Sequence, residues 1–317
     1  MSYSLLSRFE GCLWGVVLGE QAGKAAQTTP QRKKHRSLQH WHPQPRSNHD
    51  LPWSGEVLQQ LQSGLRSPTW HQSLLAQSLL AQSHLSTNNS WPGTPIDAGR
   101  LAILTLPIAL FYHDDLKRQR HSLEQQLDLV PGAAAHRDWV MAFAYAIAQA
   151  IKGQLEPIVF IDQLRAYLQV MASSDQPLPE SINQPLQQIH RQNESGCGPW
   201  ESTEADPNLA IAHALHDFLQ TPDDIRLVLI RSAQQHATRS ANTSAPLVCT
   251  LVGALAGAYN GAAAIPPSWR STLSISASGH GAAIAEVAAA LLAHWSGSYA
   301  PATLASPPTV AAPWVIQ

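Results

Sequence analysis

The residues of this sequence whose types could carry out metal or nucleophilic chemistry are few and widely spaced. Its three cysteines are Cys12, Cys197 and Cys249, and no Cys-x-x-Cys pair occurs. Structural zinc sites and disulfide frameworks use cysteines in recognisable paired spacings, so the sequence argues against both. Cys12 and Cys249 lie in apolar runs, which indicates small buried hydrophobic residues. The basic cluster Arg32–Arg36 is typical of a solvated loop.

The composition limits the classes of function. The chain has 317 residues, enough for one large domain or two small ones, and 44% hydrophobic residues, enough for a sizeable core. Charged residues make up 13%, against a usual share of about 25%, and the formal net charge is −2. This balance gives no reason to expect nucleic acid or an anionic membrane as a partner. Arg8 and Glu10 interrupt the apolar run that a secretory signal needs, so we expect a cytoplasmic protein.

One long uncharged stretch is predicted to form the helix around which the chain is organised. No charged residue occurs from Ser240 to Ser268. Apolar residues recur there at helical spacing, namely Val248, Leu251, Val252, Leu255 and Tyr259. Glycine and alanine fill the positions between them, which lets neighbouring helices approach closely. We predict a helix over Leu247–Asn260, with polar capping residues before Pro246 and a stop at Gly261.

The same stretch is long enough to be considered as a membrane span. Residues 245–265 carry no charge and meet the length that a membrane crossing requires. They are rich in alanine and glycine and include Pro246 and Asn260, so they are only weakly hydrophobic on an insertion scale. We therefore predict a core helix and no membrane partner.

A second glycine-bearing helix is predicted near the start of the chain, over Leu5–Gly23. Its apolar residues keep helical spacing, and Gly11, Gly15 and Gly19 form a second, small face. We expect this face to pack against the small residues of Leu247–Asn260 near the centre of one domain. No run with the two-residue period of a strand exceeds about five residues, so the predicted fold class is all-α.

Two of these segments resemble a known family. Val252–Arg270, which reads VGALAGAYNGAAAIPPSWR, resembles the C-terminal motif of the ADP-ribosylglycohydrolase family, of the dinitrogenase-reductase-activating glycohydrolase type. Arg8–Gly15 and Gly19–Gly23 resemble that family's opening line. The resemblance covers most of residues 4–295 in the correct order. It implies a single compact helical domain over residues 1–298. The composition of residues 299–317 predicts a Pro/Ala-rich C-terminal tail after that domain.

The resemblance also implies where the family's metal site would lie. Family members bind two Mg²⁺ or Mn²⁺ ions through an early Asp-Asp turn and a late Asp-x-Asp turn. The matched positions here hold Ser54, Gly55, Ser244 and Pro246, and Glu56 replaces a threonine. Hard dications prefer anionic oxygen ligands, which these four residues do not supply. We therefore expect no metal cofactor and an impaired catalytic site.

Other positions matched to the family site also differ. Gly19-Glu20-Gln21 stands where the family has Gly-Asp-Ala, so a carboxylate remains, one methylene longer. Gly99 and Arg100 stand where the family has a substrate-contacting Asn-Gly. Glu20 and Glu56 are the residual catalytic candidates, with a helix N-terminal or surface carboxylate as the alternative interpretation. His136 is placed at the N-terminus of a helix over Ala135–Ile151, where capping or packing is its more common role.

The remaining segments are predicted from their patterns. Residues 25–54 and 173–207 are predicted to be loops, since both are polar and rich in turn-forming residues. Helices are predicted over residues 68–90, over Leu51–Leu65 behind Glu56, as a pair within Asp206–Gln235, and over Ala282–Trp295.

Three functions remain open at this point. The leading hypothesis is a catalytically impaired ADP-ribosylglycohydrolase-like protein, which keeps a pocket for an ADP-ribose-like ligand or for a protein partner. The second is an active hydrolase of ADP-ribosyl bonds with a rearranged site that recruits Glu20, Glu56, Asp97 or Asp206, because two carboxylates can cleave a glycosidic bond without metal. The third is a purely structural or interaction module.

Overall fold

The computed structural model describes residues 4–28, 41–44, 52–65, 97–171, 177–195, 209–237, 245–274 and 280–297. Within these ranges the regular structure is entirely helical, which confirms the predicted all-α class. The α-helices in chain order are α1 Leu5–Thr28, α2 Pro52–Gly64, α3 Ala98–Leu104, α4 Leu106–Phe111, α5 Leu116–Asp128, α6 Arg137–Lys152, α7 Phe160–Met171, α8 Glu180–Ser195, α9 Leu209–Leu219, α10 Ile225–Ala237, α11 Ala245–Asn260, α12 Pro267–Ser274 and α13 His280–Ser296. Short 3₁₀ helices lie at Ala133–His136 and Ala262–Ala264.

The helix pair α1 and α11 forms the centre of the fold. Every residue from Gly11 to Gly23 is buried, and so is every residue of α11 except Tyr259. A helix buried on all its sides must be surrounded by other elements, so both helices lie inside the bundle. This confirms the predicted central pairing, although each helix is longer than the sequence indicated.

Glycines let the backbones of α1 and α11 touch. A Cβ atom added to Gly15 would lie 1.8 Å from the carbonyl oxygen of Gly253, and one added to Gly253 would lie 2.0 Å from that of Gly15. At the next contact along the pair, a Cβ atom added to Gly11 would lie 2.2 Å from the carbonyl oxygen of Gly257. One added to Gly257 would lie 1.9 Å from that of Gly11. These distances are far below a van der Waals contact, so no side chain fits at the crossing.

Arg8 fastens this pair to a third helix. Its buried guanidinium donates hydrogen bonds to the carbonyl oxygens of Ala150, near the end of α6, and of Tyr259, near the end of α11. Both carbonyls belong to the last turns of their helices, where unsatisfied oxygens and the helix dipole favour a cation. Arg8 therefore ties α1 to the C-terminal ends of two neighbours.

Both loop predictions need correction. Residues 25–28 continue α1, and α2 already begins at Pro52. Within residues 173–207, which were predicted to be a loop, the chain forms helix α8. Its buried face is Ile182, Leu186 and Ile189, spaced i, i+4 and i+7. The abundance of proline, serine and glutamine hid this apolar stripe, and Pro185 lies inside the helix.

The later helices follow the prediction. α9 and α10 form the expected pair, with Leu215, Phe218, Val228 and Leu229 fully buried. The Asp224 carboxylate caps α10 by accepting the Leu227 N–H at 2.9 Å. No helix within the described ranges combines the length and hydropathy of a membrane span. The predicted helix over residues 68–90, the cluster Arg32–Arg36, Cys197 and the tail over residues 299–317 lie outside the described residues.

Candidate functional site

The early and late positions marked by the resemblance meet at one end of the α1–α11 pair. On α11, Pro246 lies against α1, since a Cβ atom added to Gly23 would be 2.3 Å from the Pro246 Cα atom. On α2, Ser54 is hydrogen-bonded to Glu20, one turn before Gly23 on α1. Segments distant in sequence therefore converge at this end of the α1–α11 pair. Ser244 and Asp206 lie outside the described residues.

Glu20 holds the first turn of α2. Its Oε2 atom accepts the Ser54 N–H at 2.9 Å and the Ser54 hydroxyl at 2.8 Å, and its Oε1 atom accepts the Trp53 N–H at 3.4 Å. The Lys24 ammonium lies 3.4 Å from the same Oε1 atom, one helical turn further along α1. Glu20, which belongs to α1, therefore caps α2. It accepts hydrogen bonds from N–H groups at the start of α2, which have no partner within that helix.

Burial governs the ionisation of Glu20, whose exposed fraction is 0%. Burial raises the pKa of Glu20, and the hydrogen bonds from Ser54 and Trp53 together with the Lys24 charge offset only part of that rise. A carboxylate in this position can act as a helix cap, but it faces protein groups on both oxygens.

A second charged group at this end centres on Arg100. Asp97 caps α3 by accepting the Arg100 N–H at 2.8 Å, and the Arg100 side chain is buried, with 6% of its surface exposed. Burial lowers the pKa of Arg100, while the nearby charges of Glu56 and Asp97 raise it. Burial also raises the pKa of Asp97, against the opposing effects of the Arg100 N–H, the Arg100 charge and His136. Glu56, Asp97 and Arg100 thus form one electrostatic group.

Neighbouring residues fix α3 and α6 against this group. Gly99 packs on α11, because a Cβ atom there would lie 3.1 Å from the Leu247 Cδ2 atom and 3.2 Å from the Leu251 Cδ1 atom. His136 occupies the N-cap position of α6 without a side-chain cap hydrogen bond. It is half-buried and lies near enough to Asp97 to lower the pKa of that carboxyl group.

The donor groups of the described residues at this end do not fit a pair of divalent cations. The Ser54 hydroxyl donates a hydrogen bond to Glu20, and Gly55 has no side chain. The Pro246 carbonyl oxygen accepts a hydrogen bond of 2.7 Å from the Thr250 hydroxyl. Within the described part of the chain, no three histidine, cysteine or acidic side chains are grouped so that they could hold a metal. Neutral hydroxyls do not repay the desolvation of a hard dication.

The short segment Trp41–Gln44 is anchored beside this site. The Gln44 N–H donates to the Gln21 Oε1 atom at 3.1 Å, and the Trp269 indole N–H donates to the His42 Nδ1 atom at 3.2 Å. The Trp41 and Trp269 rings meet edge to face with centroids 5.1 Å apart. Trp269, from the motif that suggested the family, therefore holds this segment across α1 and α12.

A buried polar cluster, which we call the Asp217 cluster, lies between α9, α10 and α11. The Asp217 carboxylate lies 3.2 Å from the His216 Nδ1 atom and 3.0 Å from the His236 Nε2 atom. Burial alone would raise the pKa of Asp217, but the His236 charge and hydrogen bonds from His216, His236 and Ser232 hold it well below its usual range. The ionised carboxylate is an obligate acceptor, so each facing ring nitrogen carries a proton.

Sequence reasoning missed the partners of several site residues. Lys24 lies four residues after Glu20, the spacing of a helical ion pair, and Asp97 precedes Arg100 by three residues, the spacing of an N-cap. Both signals are readable from the sequence. The hydrogen bonds of Glu20 to α2 and the electrostatic influence of Glu56 on Arg100 join different elements, and only the fold reveals them.

We predict that Glu20→Gln changes how stability depends on pH. Because burial raises the pKa of Glu20, the folded protein binds its proton more tightly than the unfolded chain, whose value is about 4.3. The parent therefore loses stability from this group as pH rises above that value. The melting temperature of Glu20→Gln minus that of the parent should rise from acidic to neutral pH.

The control for this measurement is Glu286→Gln, which changes an exposed carboxylate on α13. Its difference from the parent should stay flat over the same pH range. A flat or falling difference for Glu20→Gln would contradict the role assigned to its burial.

Comparisons with known proteins agree with this architecture. A sequence model of the ADP-ribosylglycohydrolase family matches residues 25–301. A solved structure of an ADP-ribosylglycohydrolase-related protein complex is similar in fold, with a TM-score of 0.56 and 20% sequence identity. The similarity covers 93% of this chain and 99% of that chain. No curated protein matches the sequence.

Proposed function

This chain belongs to the ADP-ribosylglycohydrolase family, and from that premise we propose that it is a member that has lost hydrolytic activity. The family's chemistry depends on carboxylates that hold two dications. At the matched positions the chain offers a hydroxyl, a glycine and a proline within the described residues. The protein keeps the family's helical fold around the impaired site.

The single observation that carries this proposal is the position of Glu20. This carboxylate occupies the family's acidic position on α1. Both of its oxygens accept hydrogen bonds from the first turn of α2, and one also lies in an ion pair with Lys24. A ligand for a metal or a base for water needs a lone pair directed at that metal or water. Glu20 directs its lone pairs at protein N–H and O–H groups.

The arrangement also speaks against metal-free hydrolysis by two carboxylates. That chemistry needs one carboxyl group as acid and a second as base or nucleophile, on opposite sides of the scissile bond. Glu20 caps α2, Asp97 caps α3, and Glu56 faces the Arg100 charge. Each of these three carboxylates thus has a protein group beside it that competes with substrate.

Recognition without hydrolysis is the role that this site supports. Family membership favours an ADP-ribose-like ligand, and the anchored segment Trp41–Gln44 adds aromatic and amide groups beside the site. A protein partner is the alternative to an ADP-ribose-like ligand, and a binding titration with ADP-ribose distinguishes these two possibilities. Titration with ADP-ribose in the presence of a chelator should show binding that needs no metal.

The proposal predicts no ADP-ribose release from peptides modified on arginine or serine. Incubation with Mg²⁺ or Mn²⁺ should give product no higher than a no-enzyme control, while an active family member assayed in parallel releases ADP-ribose. Metal-dependent release above the control would contradict the proposal. Release that persists with a chelator would instead favour the rearranged, metal-free site.

A further inference from the structure

Two hydrogen bonds attach the segment Trp41–Gln44 to helices in the described part of the chain. The Gln44 N–H donates to the Gln21 Oε1 atom on α1 at 3.1 Å. The Trp269 indole N–H on α12 donates to the His42 Nδ1 atom at 3.2 Å. Trp269 is 1% exposed, whereas the side chain of His42 is exposed to solvent. One of the two hydrogen bonds thus depends on a histidine that protons in the solvent can reach.

The direction of the hydrogen bond between Trp269 and His42 is fixed by the chemistry of the two rings. An indole N–H can only donate, so the His42 Nδ1 atom must offer a lone pair. The imidazole is then neutral, with its proton on the Nε2 atom. A proton added at Nδ1 would set two N–H groups against each other, and the imidazolium would face the positively polarised edge of the indole ring. This contact therefore exists only while His42 is uncharged.

No charged side chain among the described residues compensates for a proton on His42. Its hydrogen bond with Trp269 is its only polar contact within those residues. The titratable residues of the two helices that hold the segment are Arg8, Glu10, Cys12, Glu20 and Lys24 of α1 and Arg270 of α12. None of them forms an ion pair with His42, so the described surroundings do not favour the imidazolium.

The second hydrogen bond of the segment leaves part of a buried amide unsatisfied. Gln21 is 2% exposed, and its Nε2 atom has no hydrogen-bond partner among the described residues. Because the Gln44 N–H can only donate, the Gln21 amide must turn its oxygen toward the segment. A buried donor without an acceptor is unfavourable, so a movement that brings an acceptor to the Gln21 Nε2 atom gains free energy.

We propose that His42 is a proton-sensitive latch, which fastens Trp41–Gln44 to α12 while its ring is neutral and releases the segment on protonation, so that water or a ligand reaches the Gln21 amide. Histidine is the side chain whose charge ordinarily changes between about pH 5 and pH 8. The contact is present above that range and is lost as pH falls through it. The latch does not depend on the proposed loss of hydrolysis, because none of its contacts involves a metal or a substrate.

A pH titration followed by two NMR signals tests the latch. The Trp269 indole N–H signal, assigned through the Trp41 ring whose centroid lies 5.1 Å from that of Trp269, reports the hydrogen bond to His42. Hydrogen exchange of the Gln44 N–H reports release of the segment. From about pH 8 to about pH 5.5, the indole signal should shift upfield. The Gln44 protection factor, corrected for the intrinsic exchange rate, should fall roughly 3- to 10-fold, the effect of one ordinary hydrogen bond.

Two histidine variants separate the latch from other titrations. His42→Asn keeps an acceptor near the Nδ1 position but does not titrate, so both signals should stay constant with pH. Glu20 is unchanged in this variant, so a pH effect that comes from its carboxyl group would persist there. His121→Asn removes another exposed histidine, on α5, and should leave the titration as it is in the parent.

An indole signal that does not move in the parent, or that moves equally in His42→Asn, would overturn the proposal. An indole shift without a loss of Gln44 protection would also overturn it, because the segment would then be held without the His42 contact. Both substituted histidines are exposed, so we expect the two variants to fold. The parent titration needs neither of them.

Discussion

Asp217→Ala is expected to destabilise the protein by roughly 3–5 kcal/mol, among the largest effects of any single polar substitution. The carboxylate lies at the centre of the buried Asp217 cluster and accepts hydrogen bonds from His216 and His236. Its removal leaves two buried imidazoles without the group that they face. Leaving buried polar or charged groups without their partner costs more than the intact interaction contributes.

The same variant has a defined pH signature. Because the pKa of Asp217 lies well below its usual range in the folded protein, the carboxylate stabilises the fold above the unfolded value of about 3.9. This contribution is lost as pH falls below that value toward the folded pKa. The stability difference between parent and Asp217→Ala should therefore be full at neutral pH and narrow only below about pH 4.

Denaturant unfolding of the parent, Asp217→Ala and Asp162→Ala measures this effect. Asp162 is the matched control, because it faces His190 at 3.8 Å with a side chain that is 57% exposed. An exposed pair of this kind contributes about 0–1 kcal/mol. Equal losses in the free energy of unfolding for the two variants would show that burial does not increase the contribution of the Asp217 cluster to stability.

Gly257→Leu should cost about 3 kcal/mol or more, or prevent folding, because overpacking a closed helix contact displaces backbone. Even the first side-chain atom at this position would lie 1.9 Å from the Gly11 carbonyl oxygen on α1. The helix axes must separate to admit it, and the adjacent contact of Gly15 with Gly253 would open with them. The loss is therefore expected along the whole α1–α11 pair.

Thermal unfolding with Ala285→Leu as a control isolates this effect. Ala285 lies on the exposed face of α13, so the same side chain added there meets solvent. The control should melt close to the parent. A Gly257→Leu protein that melts within a degree or two of the parent would contradict the close backbone approach.

The centre of the fold was predictable because its signal is local and repeated. Gly11, Gly15 and Gly19 recur every four residues, and small residues recur on the partner helix, so each helix shows its contact face in its own sequence. α8 was missed because Pro185 and a polar composition outweighed three apolar residues in the pattern. Propensity is a weak guide when a narrow apolar stripe packs well.

The sequence indicated which residues belong together at the candidate site, but not which groups each of them contacts. The resemblance placed Glu20, Ser54 and Pro246 at one site, and the fold brings these residues to the same end of α1 and α11. No sequence pattern states that Glu20 caps α2 or that Arg100 faces Glu56. Such contacts depend on how helices from distant parts of the chain are packed, so they follow from tertiary structure.

Calorimetric titration of the metal-free protein with Mn²⁺ tests the lost activity most directly. The described site offers hydroxyl, glycine and proline at the matched positions, and its carboxylates face Lys24, Arg100 and helix N–H groups. We therefore expect binding no tighter than millimolar, while an active family member titrated in parallel binds far more tightly. Micromolar binding of Mn²⁺ by this protein would contradict the loss of the metal site and, with it, the proposed loss of hydrolysis.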